Sequence, residues 1–127
     1  LEGLYIMRPA ERKYVIEFLR DAPLYDTVDI GDKHFILTHS GLGNYLNYKK
    51  LSDYTAGELL WNRPSLTDEY RFGTITVFGH TPTFVYGNEY NGKVLKTETW
   101  INIDVGAGYG YSPVLLRLDD LKEFYAE

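Results

Sequence analysis

Phe78-Gly79-His80-Thr81-Pro82 follows directly on Thr74-Ile75-Thr76-Val77. The second of these runs is short, apolar and β-branched, so it reads as a buried strand. A glycine stops it, a histidine appears, and a Thr-Pro pair turns the chain away. In α/β folds, ligands collect beyond the C-terminal ends of the strands, and this reading puts His80 there. Gly79 allows a tight turn or a close backbone approach. Pro82 sets its own φ and biases Thr81 toward an extended conformation, so the imidazole is held at a defined place. His80 is then either a structural histidine capping a strand end or a functional group at a sheet edge.

The same grammar recurs upstream. Tyr25-Asp26-Thr27-Val28-Asp29-Ile30 alternates as a strand does, and Gly31-Asp32 suits a type II′ hairpin turn. His34 to Thr38 is the return strand, with His34 a solvated residue near the turn. That strand ends in His39-Ser40-Gly41-Leu42-Gly43, a second histidine at a strand end with glycines close by. Thr55 and Glu58 have capping-box spacing, which predicts a short helix carrying Leu59, Leu60 and Trp61 inward. The helix ends at Asn62-Arg63-Pro64, because Pro64 disfavours helix at Arg63. Arg63 either satisfies terminal carbonyls or clamps an oxyanion through its paired donors. Arg71, in the polar loop 65–73, reads as a surface charge.

Downstream, Trp100-Ile101-Asn102-Ile103-Asp104-Val105 reads as another buried strand, running into Gly106-Ala107-Gly108-Tyr109-Gly110. Asp104 either binds a metal or accepts bonds from a turn, and the turn role is the simpler one. The glycine run has neither the helix nor the spacing of a dinucleotide fingerprint. Elsewhere, residues 1–8 have no clear period. Pro9 opens a helix whose Val15, Phe18, Leu19 and Ala22 form an apolar packing stripe, and Pro23 ends it. Thr83 to Tyr86 resumes an extended pattern. Asn91-Gly92 signals a hairpin, with Lys93 to Glu98 returning. Pro113 to Leu118 is a last strand and Asp119-Asp120 a turn; residues 121–125 take no assignment.

The 127 residues make a single unit long enough to bury a core. Net charge is −5 with no basic block, which argues against nucleic acid as the main partner. The absence of cysteine excludes disulfides, zinc–thiolate sites and a cysteine nucleophile, and fits a reducing, cytoplasmic compartment. No apolar run reaches membrane-spanning length, and no signal-peptide pattern opens the sequence. The first residue is Leu1, which suggests a start inside a longer protein.

Taken in order, Thr38-His39-Ser40-Gly41, Leu60-Trp61-Asn62-Arg63, Phe78 to Pro82 and Ile103 to Ala107 form a series. This series resembles the C-terminal half of the calcineurin-like metallophosphoesterases. The likeness is to the phosphoprotein-phosphatase branch, and within it to bacterial and phage serine/threonine protein phosphatases. It covers nearly the whole chain. The resemblance implies an α/β (α+β) fold, part of a four-layer α/β/β/α sandwich, with a mostly antiparallel or mixed sheet and few helices. It implies that His39 and His80 are ligands of one metal of a dinuclear manganese, iron or zinc site. It also implies that Arg63 holds the substrate phosphate and that Asp104 shapes the strand end behind the site. The chemistry implied is attack of a metal-activated water on a phosphomonoester, with no covalent enzyme intermediate. The substrate would be a phosphoprotein or a small phosphoester.

The family's first half carries Gly-Asp-x-His-Gly, Gly-Asp-x-x-Asp-Arg-Gly and Gly-Asn-His-Glu, and none of the three occurs here. The expectation is therefore half of a phosphatase, inactive alone, binding metal weakly, and self-associating through an exposed sheet face. Two alternatives accompany it. One is a symmetrical diadenosine-tetraphosphate hydrolase, from which Thr81-Pro82 leans away. The other is a non-catalytic interaction module on the same fold, against which the retained His39, His80 and Arg63 argue.

Overall fold

Strand alternation in residues 25–38 folds into a hairpin, β1 (Tyr25–Ile30) and β2 (Lys33–Thr38), in a computed structural model that describes residues 2–126. Of the two loop residues only Gly31 has a positive φ, 62°, as a type II′ turn requires. The hairpin forms one side of a five-stranded sheet. Its other strands are β3 (Thr74–Phe78), β4 (Leu95–Lys96) and β5 (Trp100–Asn102), in the order β1-β2-β3-β5-β4. The sheet is mixed: β2, β3 and β5 run parallel, while β1 and β4 are antiparallel edges. Helices are few: α1 (Glu2–Ile6), α2 (Pro9–Arg20) and α3 (Ala56–Leu60). A second hairpin, β6 (Val114–Leu116) with β7 (Glu123–Tyr125), closes the described chain. The class is α+β, with a mixed sheet.

Register sorts the side chains onto two faces. Thr76 pairs with Trp100 and Phe78 with Asn102 on one face; Leu37 pairs with Val77, and Val77 with Ile101, on the other. The first face packs Phe78, Leu95 and Trp100 against Leu42, Leu59 and Tyr70 from the β2–β3 connection. Burial of Phe78 alone contributes about 2 kcal/mol. Trp100 is fully buried, and its indole N–H donates to the Asp68 carbonyl at 2.8 Å, so the ring has no unmatched polar atom. The second face centres on Phe35, Val77 and Ile101, with Leu116, Leu118 and Leu121 packed over it.

The structure corrects several expectations. Residues 2–6 are helical rather than a patternless lead-in. α2 forms where its period predicts, yet none of its residues is buried, so among the described residues its apolar stripe has no surface to pack on. Thr83–Tyr86 is a 3₁₀ turn, not an extended segment. Asn91-Gly92 does turn the chain, but it joins no paired strands; β4 instead pairs with β5 across residues 97–99. There Thr97 Oγ1 accepts from the Trp100 amide at 3.0 Å, a side-chain turn that competes with the simple hairpin signal. Trp61 is exposed rather than inward, because α3 ends at Leu60 and the chain turns off its axis. β5 stops at Asn102, whose side chain replaces the next ladder bonds: Oδ1 accepts from the Asp104 amide at 2.9 Å and Nδ2 donates to the Thr81 carbonyl at 2.8 Å. The unassigned residues 121–125 contain β7. Among the described residues no helix is long and apolar enough to cross a membrane.

Candidate functional site

Because β2, β3 and β5 run parallel, their C-terminal ends share one sheet edge. His39 comes one residue after β2, His80 two after β3, and Asp104 two after β5. Backbone bonds stitch the ends together. The Gly79 amide donates to the His39 carbonyl at 3.0 Å, the Ile103 amide to the Phe78 carbonyl at 2.8 Å, and the Thr83 amide to the Asp104 carbonyl at 2.8 Å.

The two imidazoles meet. His39 Nε2 and His80 Nδ1 lie 3.0 Å apart, with ring centroids 4.9 Å apart and planes at 59°. In the free protein one nitrogen carries the proton and the other accepts it. His80 Nε2 is buried without a partner, and the Trp61 ring stands edge-on to the imidazole, centroids 5.6 Å apart. Burial holds the His80 pKa below the ordinary histidine value, and His39 and Arg63 push the same way, against a weaker opposing pull from Asp104. These effects favour the neutral form of the His80 imidazole.

His80 is also backbone-strained. Its φ is 70°, and the Thr81 amide donates to the Gly79 carbonyl at 2.8 Å across it. That is a γ-turn of the rare positive-φ kind. Such conformations persist only where the surroundings over-determine them, and they cluster at functional sites. Here the surroundings are Thr81 and Asn102. Thr81 is buried, its carbonyl taken by Asn102 Nδ2 and its hydroxyl by Arg63 Nη1 at 3.1 Å.

Arg63 reaches this edge from the end of α3. Thr55 caps the helix start and Glu58 returns the bond, completing the box that the sequence spelled. Its far end is tied to the residue after His39. The Ser40 amide and hydroxyl both donate to the Leu59 carbonyl, at 3.0 and 2.8 Å, and Ser40 Oγ accepts from the Asn62 amide at 2.9 Å. Gly41 follows at φ 91°, where a Cβ would stand 2.8 Å from Tyr70 Oη, so only glycine fits. The Arg63 guanidinium bonds Thr81, not a helix-end carbonyl.

The structure thus brings His39, His80 and Arg63 to one edge. Asp104 belongs to the same edge but spends an oxygen on the Gly106 amide at 3.1 Å, the turn role. His34, by contrast, pairs with Asp29 at 2.7 Å at the far end of β2. Ser40, Thr81 and Asn102 carry the support; the sequence marks Thr81 through its neighbour Pro82 and gives Ser40 and Asn102 no role of their own. Burial inside an otherwise apolar strand was the available signal for Asn102.

Two nitrogens each about 2.1 Å from one ion and at right angles are about 3.0 Å apart, so the spacing of the imidazole pair matches two neighbouring places around an octahedral ion once the proton between them is released. Among the described residues no group of three or more His, Cys, Asp or Glu side chains is placed to hold an ion. No known protein family matches the chain, and no curated protein does either.

Proposed function

We propose that this chain is the C-terminal half of a calcineurin-like metallophosphoesterase, a metal-dependent phosphomonoester hydrolase acting on phosphoserine and phosphothreonine in proteins. The observation that carries the reading is the convergence of His39 Nε2 and His80 Nδ1 at 3.0 Å beside the Arg63 guanidinium. His39 and His80 are the residues that would hold a divalent ion such as manganese. When bound, a pair of such ions supplies a water of lowered pKa and neutralises charge on the phosphoryl group. Arg63 presents a planar donor fork suited to two phosphoryl oxygens. Its hydrogen bond to Thr81 fixes one nitrogen and leaves the others to the substrate. Depression of the His80 pKa keeps the imidazole unprotonated at neutral pH, as ligation requires.

The four-layer sandwich belongs to this proposal. The face built on Phe35, Val77 and Ile101 is covered in part by Leu116, Leu118 and Leu121, and the partly buried Val28, Ile30, Leu37, Ile75 and Ile103 around it are where a second sheet would extend the cover. The missing half of the ligand set is expected from the three acidic and Asn-His motifs that do not occur in these 127 residues.

Manganese titration followed by NMR tests the reading. At low-millimolar manganese the His39 and His80 imidazole signals broaden before those of His34, and His80→Ala removes the effect. The chain alone gives no turnover of p-nitrophenyl phosphate, whereas a longer polypeptide that supplies the three motifs does. Equal broadening at all three histidines would sink the metal assignment.

A further inference from the structure

A cavity of about 180 Å³ has a lining that includes neither histidine of the pair, nor Arg63, nor Asp104. Ile36 and Thr76, paired neighbours on one sheet face, contribute to it, and tyrosines 45, 54 and 70 add aromatic surface. The rings of Tyr45 and Tyr70 are 5.2 Å apart and tilted at 54°.

Three features define what fits. The first is an orphan donor. Tyr54 is only 7% exposed, and its hydroxyl is buried with no hydrogen-bond partner. Tyr70 Oη, in contrast, accepts from the Leu42 amide at 3.0 Å and from Asn62 Nδ2 at 3.2 Å. A buried, unmatched hydroxyl costs free energy that an occupant bearing an acceptor would recover. The second is charge. In a chain of net charge −5, Lys49, Lys50 and Arg71 line this cavity and no acidic residue does. Lys49 is paired with Glu58 at 2.7 Å and stands over the Tyr54 ring at 4.1 Å. Among the described residues Lys50 and Arg71 make no ion pair; Arg71 donates only to the Asn47 carbonyl, at 2.7 Å. Both are exposed, so they stand at the mouth. The third is size. An apolar cavity of about 150 Å³ holds one benzene ring, so this one takes a single ring with a few substituent atoms.

We propose that this cavity binds a small aromatic carboxylate, its ring among the tyrosines, a ring acceptor on Tyr54 Oη and its carboxylate on Lys50 and Arg71. The site is independent of the metal-binding proposal and stands or falls separately.

The probe is 4-hydroxybenzoate, titrated into the 127-residue chain by calorimetry and by NMR. Saturable binding is expected, with shifts at Ile36 and Thr76. The neutral methyl ester binds at least about tenfold more weakly, because it forfeits the charge-assisted bonds. Tyr54→Phe keeps the ring and binds the acid about three- to tenfold more weakly. Lys50→Gln, an exposed change that leaves the fold intact, narrows the gap between acid and ester. Binding of acid and ester with equal affinity would overturn the anion assignment. Unchanged affinity in Tyr54→Phe would overturn the hydroxyl's role, and absence of binding by the folded chain would overturn the site.

Discussion

His80 sits at φ 70°, with the Thr81 amide closing a turn across it. A side chain with a Cβ at such an angle costs about 1–2 kcal/mol that glycine does not incur. Alanine keeps the Cβ and the strain; glycine loses both. His80→Gly is therefore expected to be about 1 kcal/mol more stable than His80→Ala, the reverse of the usual order, read from denaturant midpoints. Equal midpoints would mean that the turn relaxes and holds no strain. The lowered pKa of the same residue has a signed consequence. The unfolded chain's His80 takes up its proton near pH 6.5, and the folded chain's only at lower pH. Between those values the unfolded state binds more protons, so stability falls as pH drops below about 6.5 and levels off beneath the folded pKa. His80→Gln should lose this slope. An imidazole titration midpoint for His80 above that of a free histidine would reverse the sign and refute the assignment.

α3 and the strand end before it are held by Thr55 and Ser40. Removing the Thr55 hydroxyl strips the cap from a five-residue helix, and Thr55→Ala should cost about 1 kcal/mol. Ser40→Ala should cost at least as much, about 1–2 kcal/mol, because the half-buried Asn62 amide loses its acceptor and the Leu59 carbonyl one of its donors. Ser40→Ala should also loosen Arg63, visible as faster exchange of the Asn62 amide; a Ser40→Ala chain with unchanged exchange there would show that α3 is held by packing alone. At this scale the sequence was legible wherever local chemistry decides. The β1–β2 hairpin and the α3 capping box follow from Gly31 and from Thr55 with Glu58. The two strand-end histidines were legible for the same reason, since apolar runs and their stops are local. Legibility failed where a distant partner decides. Nothing near Asn102 in sequence says that it will bond Thr81, and nothing near Asn91-Gly92 says that Thr97 will make the turn that pairs β4 with β5. The left-handed His80 was hidden too, because the Gly79 and Pro82 beside it suggested an ordered backbone without its sign.

Taken whole, the described chain has a buried cluster on each sheet face and exposed apolar surfaces beyond them. α2 has no buried residue, and Phe18 and Leu19 on it are 67% and 60% exposed, with Tyr5, Ile6 and Tyr14 exposed nearby in sequence. A helix of 12 residues is marginal in water without an apolar surface to lie on. Its periodic stripe therefore asks for a cover that the described residues do not provide, as does the ring of half-buried side chains around Phe35, Val77 and Ile101. In solution the chain on its own is expected to associate with further copies through these surfaces, and sedimentation should show apparent mass rising with concentration. The net charge of −5 repels copies at long range, so added salt should strengthen the association by screening, up to the point where the Debye length is about 8 Å. Phe18→Asp with Leu19→Asp places two charges on the stripe without touching the core, and should lower the apparent mass at fixed concentration. If the wild-type chain sediments as a monomer at every concentration and salt, the exposed stripe is tolerated as it stands and needs no covering partner.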